Sequence, residues 1–185
     1  NNLQKYHSPD VVEYLLSHGG EVSLEVTDRE VTVMFADVES STKMAEAMGP
    51  QRVAELLNQF FEMATSAIFE HKGSVNKFIG DEVMAIFNAP LDMTDHALAA
   101  VRACAGFLRE LKVFNAKNPD RAFSVRCAVN SGVVVAGNVG TPTRMEYTVL
   151  GDTVNVAARL SKFPPVNSIV IGERTRELLK DEFQV

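Results

Sequence analysis

Two aspartates stand where apolar strands of the predicted sheet end. Asp37 closes the stretch VTVMFAD, and Asp81 lies at the tip of a hairpin whose arms are 78–79 and 83–87. If strand and hairpin are sheet neighbours, the two carboxylates meet at one edge and repel each other unless a cation lies between them. Mg²⁺ suits such a pair because it leaves its other positions to water and phosphate oxygens. The spacing predicts a divalent-cation site, although Asp37 alone also suits a helix cap and Asp81 a turn.

The turn VESST, residues 38–42, follows Asp37 directly and leads into a helical pattern. The unpaired backbone N–H groups at a helix N-terminus favour phosphate. Ser40, Ser41 and Thr42 are equally suited to cap the helix, so the turn by itself leaves both interpretations open. Together with the acid pair, the turn predicts a site for a triphosphate held by two metal ions.

The elements that position these residues follow from hydrophobic periodicity, in the order β-α-β-β-α-β with a further strand and helix behind. The predicted ranges are a strand at 31–37, a helix at 50–71, the hairpin, a helix at 94–113, a strand at 123–132 ending in a Ser-Gly turn, a strand pair at 133–140 and 145–151, a helix at 152–163, a strand at 168–172 and a final helix. Two long helices between antiparallel strand pairs predict an α+β fold, a ferredoxin-like βαββαβ sandwich with extra C-terminal strand and helix elements.

Composition limits the function classes. The chain has 185 residues, 46% hydrophobic, with a net charge of −6, which argues against a nucleic-acid-binding surface. Cys104 and Cys127 lie in apolar segments and are expected to be reduced core residues, and the four histidines show no zinc spacing. No apolar run is long enough to span a membrane and no signal peptide is visible, so we expect a cytoplasmic domain. Whether the full-length protein is attached to a membrane stays open.

Three motifs, FADVESST, KFIGDEVMAIF and YTVLGDTVNVAARL, together resemble the catalytic domain of class III nucleotidyl cyclases, over about residues 30–182. The resemblance implies that Asp37, Asp81 and the backbone carbonyl of Val38 hold two Mg²⁺ or Mn²⁺ ions. It also implies that backbone N–H groups around Ser41 and Thr42 bind the β- and γ-phosphates.

The same resemblance assigns the rest of the substrate. Lys77 and Thr148 match the pair that contacts the purine, Asn155 the residue that positions the ribose, and Arg159 the residue that stabilises charge at the α-phosphate. Lys77 can donate to N1 of adenine but not to the N1–H of guanine, and the Thr148 hydroxyl can accept from the adenine 6-amino group. Asn155 and Arg159 are four residues apart and share a helix face. These residues predict an adenylyl cyclase that acts on ATP.

Members of this family pair head to tail, with the metal ligands from one domain and the purine, ribose and α-phosphate residues from the other. This chain carries both sets, which predicts a symmetric homodimer. We expect residues 29–185 to be the catalytic domain, C-terminally incomplete because a late-strand lysine of many members is missing. Residues 1–28 are expected to be a lead-in helix and linker from an upstream sensor domain. Some members place an arginine where this chain has Val133.

Other interpretations remain open at this stage. One alternative is a guanylyl cyclase, and another is a catalytically silent cyclase domain that binds nucleotide and regulates a partner. A diguanylate cyclase is suggested by the hairpin IGDEVMAIF, but Ile79 and Val83 depart from that family's Gly-Gly-Asp-Glu-Phe pattern. A purely structural α+β module requires all three motifs to be coincidental.

Overall fold

The computed structural model describes residues 26–141, 144–163 and 165–179. The predicted lead-in helix lies outside the described residues. The elements are β1 (Thr27–Val38), α1 (Ser41–Met48), α2 (Pro50–Glu70), β2 (Ser74–Ile79), β3 (Glu82–Phe87), α3 (His96–Lys117), β4 (Val125–Thr141), β5 (Arg144–Leu150), α4 (Asp152–Leu160), β6 (Ser168–Ile171) and α5 (Glu173–Leu179), with a short 3₁₀ turn at Pro119–Arg121.

One sheet runs through the domain in the order β2-β3-β1-β4-β5, and β6 pairs in parallel with the first half of β4. The central strand β1 is antiparallel to both of its neighbours, β3 and β4. A hairpin inserted beside the first strand, with the fourth strand on its other side, is the order that the βαββαβ pattern predicts. The predicted α+β fold is therefore confirmed.

The two faces of the sheet have separate cores. Because side chains alternate along a strand, Met34 and Ala36 of β1 pack under α2 and α3, whereas Val33 and Phe35 pack on the side covered by α4. The first core is filled by large side chains from both long helices, among them Phe60, Met63, Ile68, Phe107 and Leu111. By the same alternation, Asp37 follows Phe35 on the α4 face.

The prediction of a turn at Ser131 and Gly132 is wrong, because both residues lie in the middle of the 17-residue strand β4. The Ser131 hydroxyl pairs with those of Thr32 and Thr175 at 2.7 and 2.9 Å, so its polarity is satisfied inside the fold. Gly132 is required by a close approach, since a Cβ there would lie 2.5 Å from Oγ1 of Thr153 in α4. The glycine lets α4 pack against β4 and does not mark a turn.

Other boundaries differ by a few residues. Strand β1 begins at Thr27, four residues before the predicted start, and a separate helix α1 precedes α2. Gly49 separates the two helices. Its φ of 83° lies in a region of backbone conformation that mainly glycine adopts. Cys104 and Cys127 are free thiols buried in the core, as predicted. Within the described ranges, no helix has the length and apolarity required to cross a membrane.

Candidate active site

The pairing of β1 with β3 brings the two predicted metal-binding acids to the same end of the sheet. Asp37 is directly opposite Glu82, and the backbone N–H of Val38 donates to the carbonyl of Asp81 at 3.2 Å. Asp37 is only 6% exposed. Asp81 precedes β3 in the hairpin turn, where Gly80 takes a positive φ of 62°. The strand order predicted from sequence is therefore what places both acids at one edge.

The Asp37 carboxyl group is buried and lies close to both a positive and a negative side chain. Burial raises the pKa of its carboxyl group above the ordinary value, the nearby charge and hydrogen bond of Lys162 lower it, and the charge of Glu82 raises it again. Its Oδ1 atom is buried and has no hydrogen-bond partner. A buried carboxylate oxygen without a partner is costly, so the site favours a cation at this atom.

A lysine that the sequence analysis did not single out lies against these acids. The Lys162 ammonium group is 3.0 Å from Oε1 of Glu82 and 3.4 Å from Oδ2 of Asp37, and the Ser161 hydroxyl oxygen lies 3.1 Å from the same Glu82 oxygen. Burial alone would lower the pKa of Lys162, but the hydrogen bond to Glu82 and the two negative charges outweigh it and raise the pKa. Lys162 lies just after the end of α4, and this position is the one sequence signal that could have identified it as a neighbour of the acids.

The start of α1 contacts the hairpin acid, Asp81. The Ser41 hydroxyl donates to Oδ2 of Asp81 at 2.5 Å. Ser40 has a left-handed conformation, φ 57°, and makes no side-chain hydrogen bond that caps the helix. The backbone N–H groups of the first turn, including that of the exposed Thr42, therefore have no side-chain cap. The sequence indicated the N–H groups but not the hydroxyl bond to Asp81.

The two predicted purine-contacting residues come from strands at opposite edges of the sheet. Lys77 is on β2 and is half-buried, and Thr148 is on β5 and is 7% exposed. The two edges approach each other through Asn76, whose amide contacts both Tyr147 and Thr148. The register of β2 against β3 shifts between Val75 and Lys77, so Asn76 is the extra residue of a bulge. Asn76 was not identified from sequence.

Asn155 and Arg159 are both exposed on α4, on the helix face that they were predicted to share. Arg159 forms a 3.6 Å ion pair with Asp152, in which both side chains are mostly exposed. No hydrogen bond or ion pair joins either residue to Asp37 or Asp81, all four of which lie in the described part of the chain. Within one copy, the structure therefore does not bring these two residues into contact with the acids.

A family model described as the adenylate and guanylate cyclase catalytic domain matches residues 25–185. Adenylate cyclase 1 of Rhizobium meliloti is 36% identical over 135 residues, which cover 71% of this chain and 20% of that protein. An uncharacterized protein of Mycobacterium tuberculosis is 42% identical over 136 residues, 72% of this chain and 24% of that protein. The chain spans about a fifth to a quarter of the length of these curated relatives.

Solved structures share the fold. The adenylyl cyclase CyaB from P. aeruginosa superposes with a TM-score of 0.80 at 30% identity, covering 85% of this chain and 84% of that one. The guanylyl cyclase Cya2 superposes with a TM-score of 0.81 at 28% identity, covering 86% and 83%. Taken with the match over residues 25–185, these similarities show that the chain belongs to the family of adenylate and guanylate cyclase catalytic domains.

Proposed function

We propose that this domain is an adenylyl cyclase that converts ATP to 3′,5′-cyclic AMP and pyrophosphate. The observation that carries the proposal is the convergence of Asp37, Asp81 and the start of α1, with a buried carboxylate oxygen of Asp37 left without a partner. Such a group fits a divalent cation, and the uncapped N–H groups beside it fit phosphate. The 36% identical Rhizobium protein, named an adenylate cyclase, supports the choice of ATP.

In this proposal, Asp37, Asp81 and the carbonyl of Val38 would hold two Mg²⁺ or Mn²⁺ ions. Such ions, when bound, acidify the ribose 3′-hydroxyl and neutralise charge on the triphosphate. The residues of the chain hold the triphosphate and orient it: the N–H groups at Ser41 and Thr42 donate to the β- and γ-phosphate oxygens. Because those donors are backbone groups at a helix start, they are already oriented before substrate binds.

The reaction itself is an in-line displacement. The 3′-oxygen forms a bond to the α-phosphorus, the bond from that phosphorus to the bridging oxygen breaks, pyrophosphate leaves and the hydroxyl proton passes to solvent. Asn155 orients the ribose so that attack is close to intramolecular, and Arg159 stabilises the charge that develops on the α-phosphate. Arg159 leaves Asp152 at little cost, because that ion pair is exposed.

The reaction requires two copies of the chain in a head-to-tail homodimer. Asn155 and Arg159 point outward from α4, without contact to the acids of their own copy, which supports their use by a partner. Lys77 and Thr148 belong with them on the purine side of the site. Their donor and acceptor groups match N1 and the 6-amino group of adenine.

A guanylyl cyclase is the second candidate, because the Cya2 structure superposes as well as CyaB does. The test is to measure product formed from ATP and, separately, from GTP, with Mg²⁺ or Mn²⁺, over a range of protein concentrations. Cyclic AMP from ATP alone, with specific activity that rises with protein concentration, is the expected result. Cyclic GMP as the main product would overturn the choice of ATP. ATP binding without product would identify a silent regulatory domain.

A further inference from the structure

The Asn76 side chain forms a chain of hydrogen bonds with two residues of β5. Its Nδ2 atom donates to the backbone carbonyl of Tyr147 at 2.9 Å. Its Oδ1 atom accepts from the hydroxyl of Thr148 at 3.3 Å. Asn76 is half-buried and Thr148 is buried, so neither group exchanges these partners freely with water.

The direction of each hydrogen bond in this chain is fixed by chemistry. A carbonyl oxygen can only accept, so the amide edge facing Tyr147 must be the NH₂ group. The amide edge facing Thr148 is then the oxygen, which has no proton to give. The Thr148 hydroxyl must therefore use its single proton toward Asn76. Its oxygen retains lone pairs and is left as an acceptor only.

An acceptor at this position discriminates between purines. The 6-amino group of adenine is a donor and can bond to the Thr148 oxygen, whereas the 6-oxo group of guanine or hypoxanthine is an acceptor and would face it without a proton between them. A threonine whose hydroxyl could rotate would bond to either group. Buried polar groups left unpaired reject a ligand more strongly than a missing apolar contact does.

We propose that Asn76 is a positioning residue that holds the Thr148 hydroxyl as an acceptor and so makes the site selective for 6-aminopurine nucleotides. This inference rests on the proposed function, because it takes Thr148 as a purine contact. The alternative is that Asn76 only ties β2 to β5. If Asn76 only links the two strands, its loss should lower stability and affect the turnover of all purine substrates equally. If it positions Thr148, its loss should change the ratio of kcat/KM for 6-amino and 6-oxo purine nucleotides.

The experiment compares kcat/KM for ATP and for inosine triphosphate, which carries a 6-oxo group but lacks the 2-amino group of GTP. The variants are Asn76→Leu, which removes the amide at similar size, and Asn76→Asp, which keeps an acceptor facing Thr148 but loses the donor to Tyr147. Thr148→Val removes the hydroxyl, and the double variant completes a cycle. Displacement of a fluorescent ATP analogue by each nucleotide is measured in parallel, so binding is scored even without turnover.

Asn115→Leu is the matched control. The Asn115 amide also bridges backbone groups, donating to the carbonyl of Phe123 at 2.7 Å and accepting from its N–H at 3.2 Å. It lies on α3, on the opposite face of the sheet from α4. We expect this variant to lower stability and to leave the ratio of the two nucleotides unchanged.

We expect Asn76→Leu to lower the preference for ATP over inosine triphosphate about tenfold, mainly by improving the 6-oxo substrate. Asn76→Asp should keep the preference, and Asn76→Leu should have no effect on it in the Thr148→Val background. The positioning role alone would be overturned if Asn76→Leu left the preference for ATP unchanged. It would also be overturned if Asn76→Leu lowered that preference equally in the Thr148→Val background. A wild-type protein that prefers inosine triphosphate to ATP, or that binds neither of them, would overturn the proposed function as well.

Discussion

Replacing Lys162 with methionine should destabilise the domain and at the same time strengthen its binding of divalent cations. The Lys162 ammonium group supplies a positive charge 3.0 Å from Glu82 and 3.4 Å from Asp37, two carboxylates whose side chains are 11% and 9% exposed. Methionine keeps the length and apolar stem of the side chain and removes only the charge. The two acids then face each other across paired strands without the ammonium group that contacts both, although the charge of Arg126 still acts on Asp37.

The size of the effect follows from burial. Removing one partner of a fully buried ion pair costs about 3–5 kcal/mol of stability, because a charge is left uncompensated. Lys162 is 54% exposed, so water replaces part of what it supplies, and we expect roughly 2 kcal/mol, or ~4–8 °C in Tm. The deficit should shrink as pH falls, because protonation of Asp37, whose pKa burial already raises, removes the repulsion.

The assay is urea unfolding with EDTA and again with Mn²⁺, together with direct Mn²⁺ titration of the folded protein. With EDTA, Lys162→Met should unfold at a lower urea concentration than the wild-type protein, and Mn²⁺ should restore most of that difference in stability. In the direct titration, Mn²⁺ should bind the variant about tenfold more tightly than the wild-type protein, because no ammonium group competes for the acids. Lys112→Met, at an exposed position on α3, is the control and should change neither quantity. Equal stability of Lys162→Met and wild type, or unchanged Mn²⁺ affinity, would refute the reasoning.

The remaining predictions concern the reaction and one buried histidine. Asp37→Asn and Asp81→Asn should each reduce cyclic AMP formation to background while circular dichroism shows an intact fold; near wild-type rates in either would exclude the metal assignment. Arg159→Ala should lower kcat roughly 10²–10³-fold. Mixing it in equal amounts with Asp37→Asn should restore about a quarter of wild-type activity, because half of the dimers then have one intact site of two; no recovery on mixing would contradict the shared site. Burial lowers the pKa of His96, whose ring is 2.6 Å from the Thr32 hydroxyl. The free energy of unfolding should therefore be highest above pH ~6.5 and fall as the pH drops below that value. Urea unfolding measured against pH should show a flatter dependence for His96→Asn.

The sequence predicted the parts of the fold that depend on local periodicity and on strand order. An apolar strand, a helix and a hairpin in succession are enough to make β1 and β3 neighbours, and this alone brings Asp37 to the residues beside Asp81. The glycine of the Ser-Gly pair was misread as a turn residue. Local propensity does not show that Gly132 is needed for contact with Thr153, 21 positions further along the chain.

The contacts that the sequence did not predict join distant positions. Lys162 contacts Asp37 across 125 residues, and Asn76 contacts Thr148 across 72. Neither contact produces a periodic pattern in the sequence, because each depends on a single side chain. The long side chain of Lys162 extends from the end of a helix, and the polar side chain of Asn76 extends from an irregular strand. The family motifs also do not indicate them, since they name the groups that touch substrate and not the groups that hold those in place.

Lys162 and Asn76 act in the same way on different halves of the proposed site. The Lys162 ammonium group supplies a positive charge beside both acids, and in the proposed site a metal ion would have to displace that group to bind. Asn76 accepts the Thr148 proton, which in the proposed purine site would leave an acceptor already oriented before the nucleotide binds. In both cases the protein forms the interaction in advance and the ligand replaces or completes it. Because we expect loss of the Lys162 contact to strengthen metal binding and loss of the Asn76 contact to weaken the choice of purine, the two variants should change different measured quantities: Mn²⁺ affinity in one case and the ratio of two nucleotides in the other.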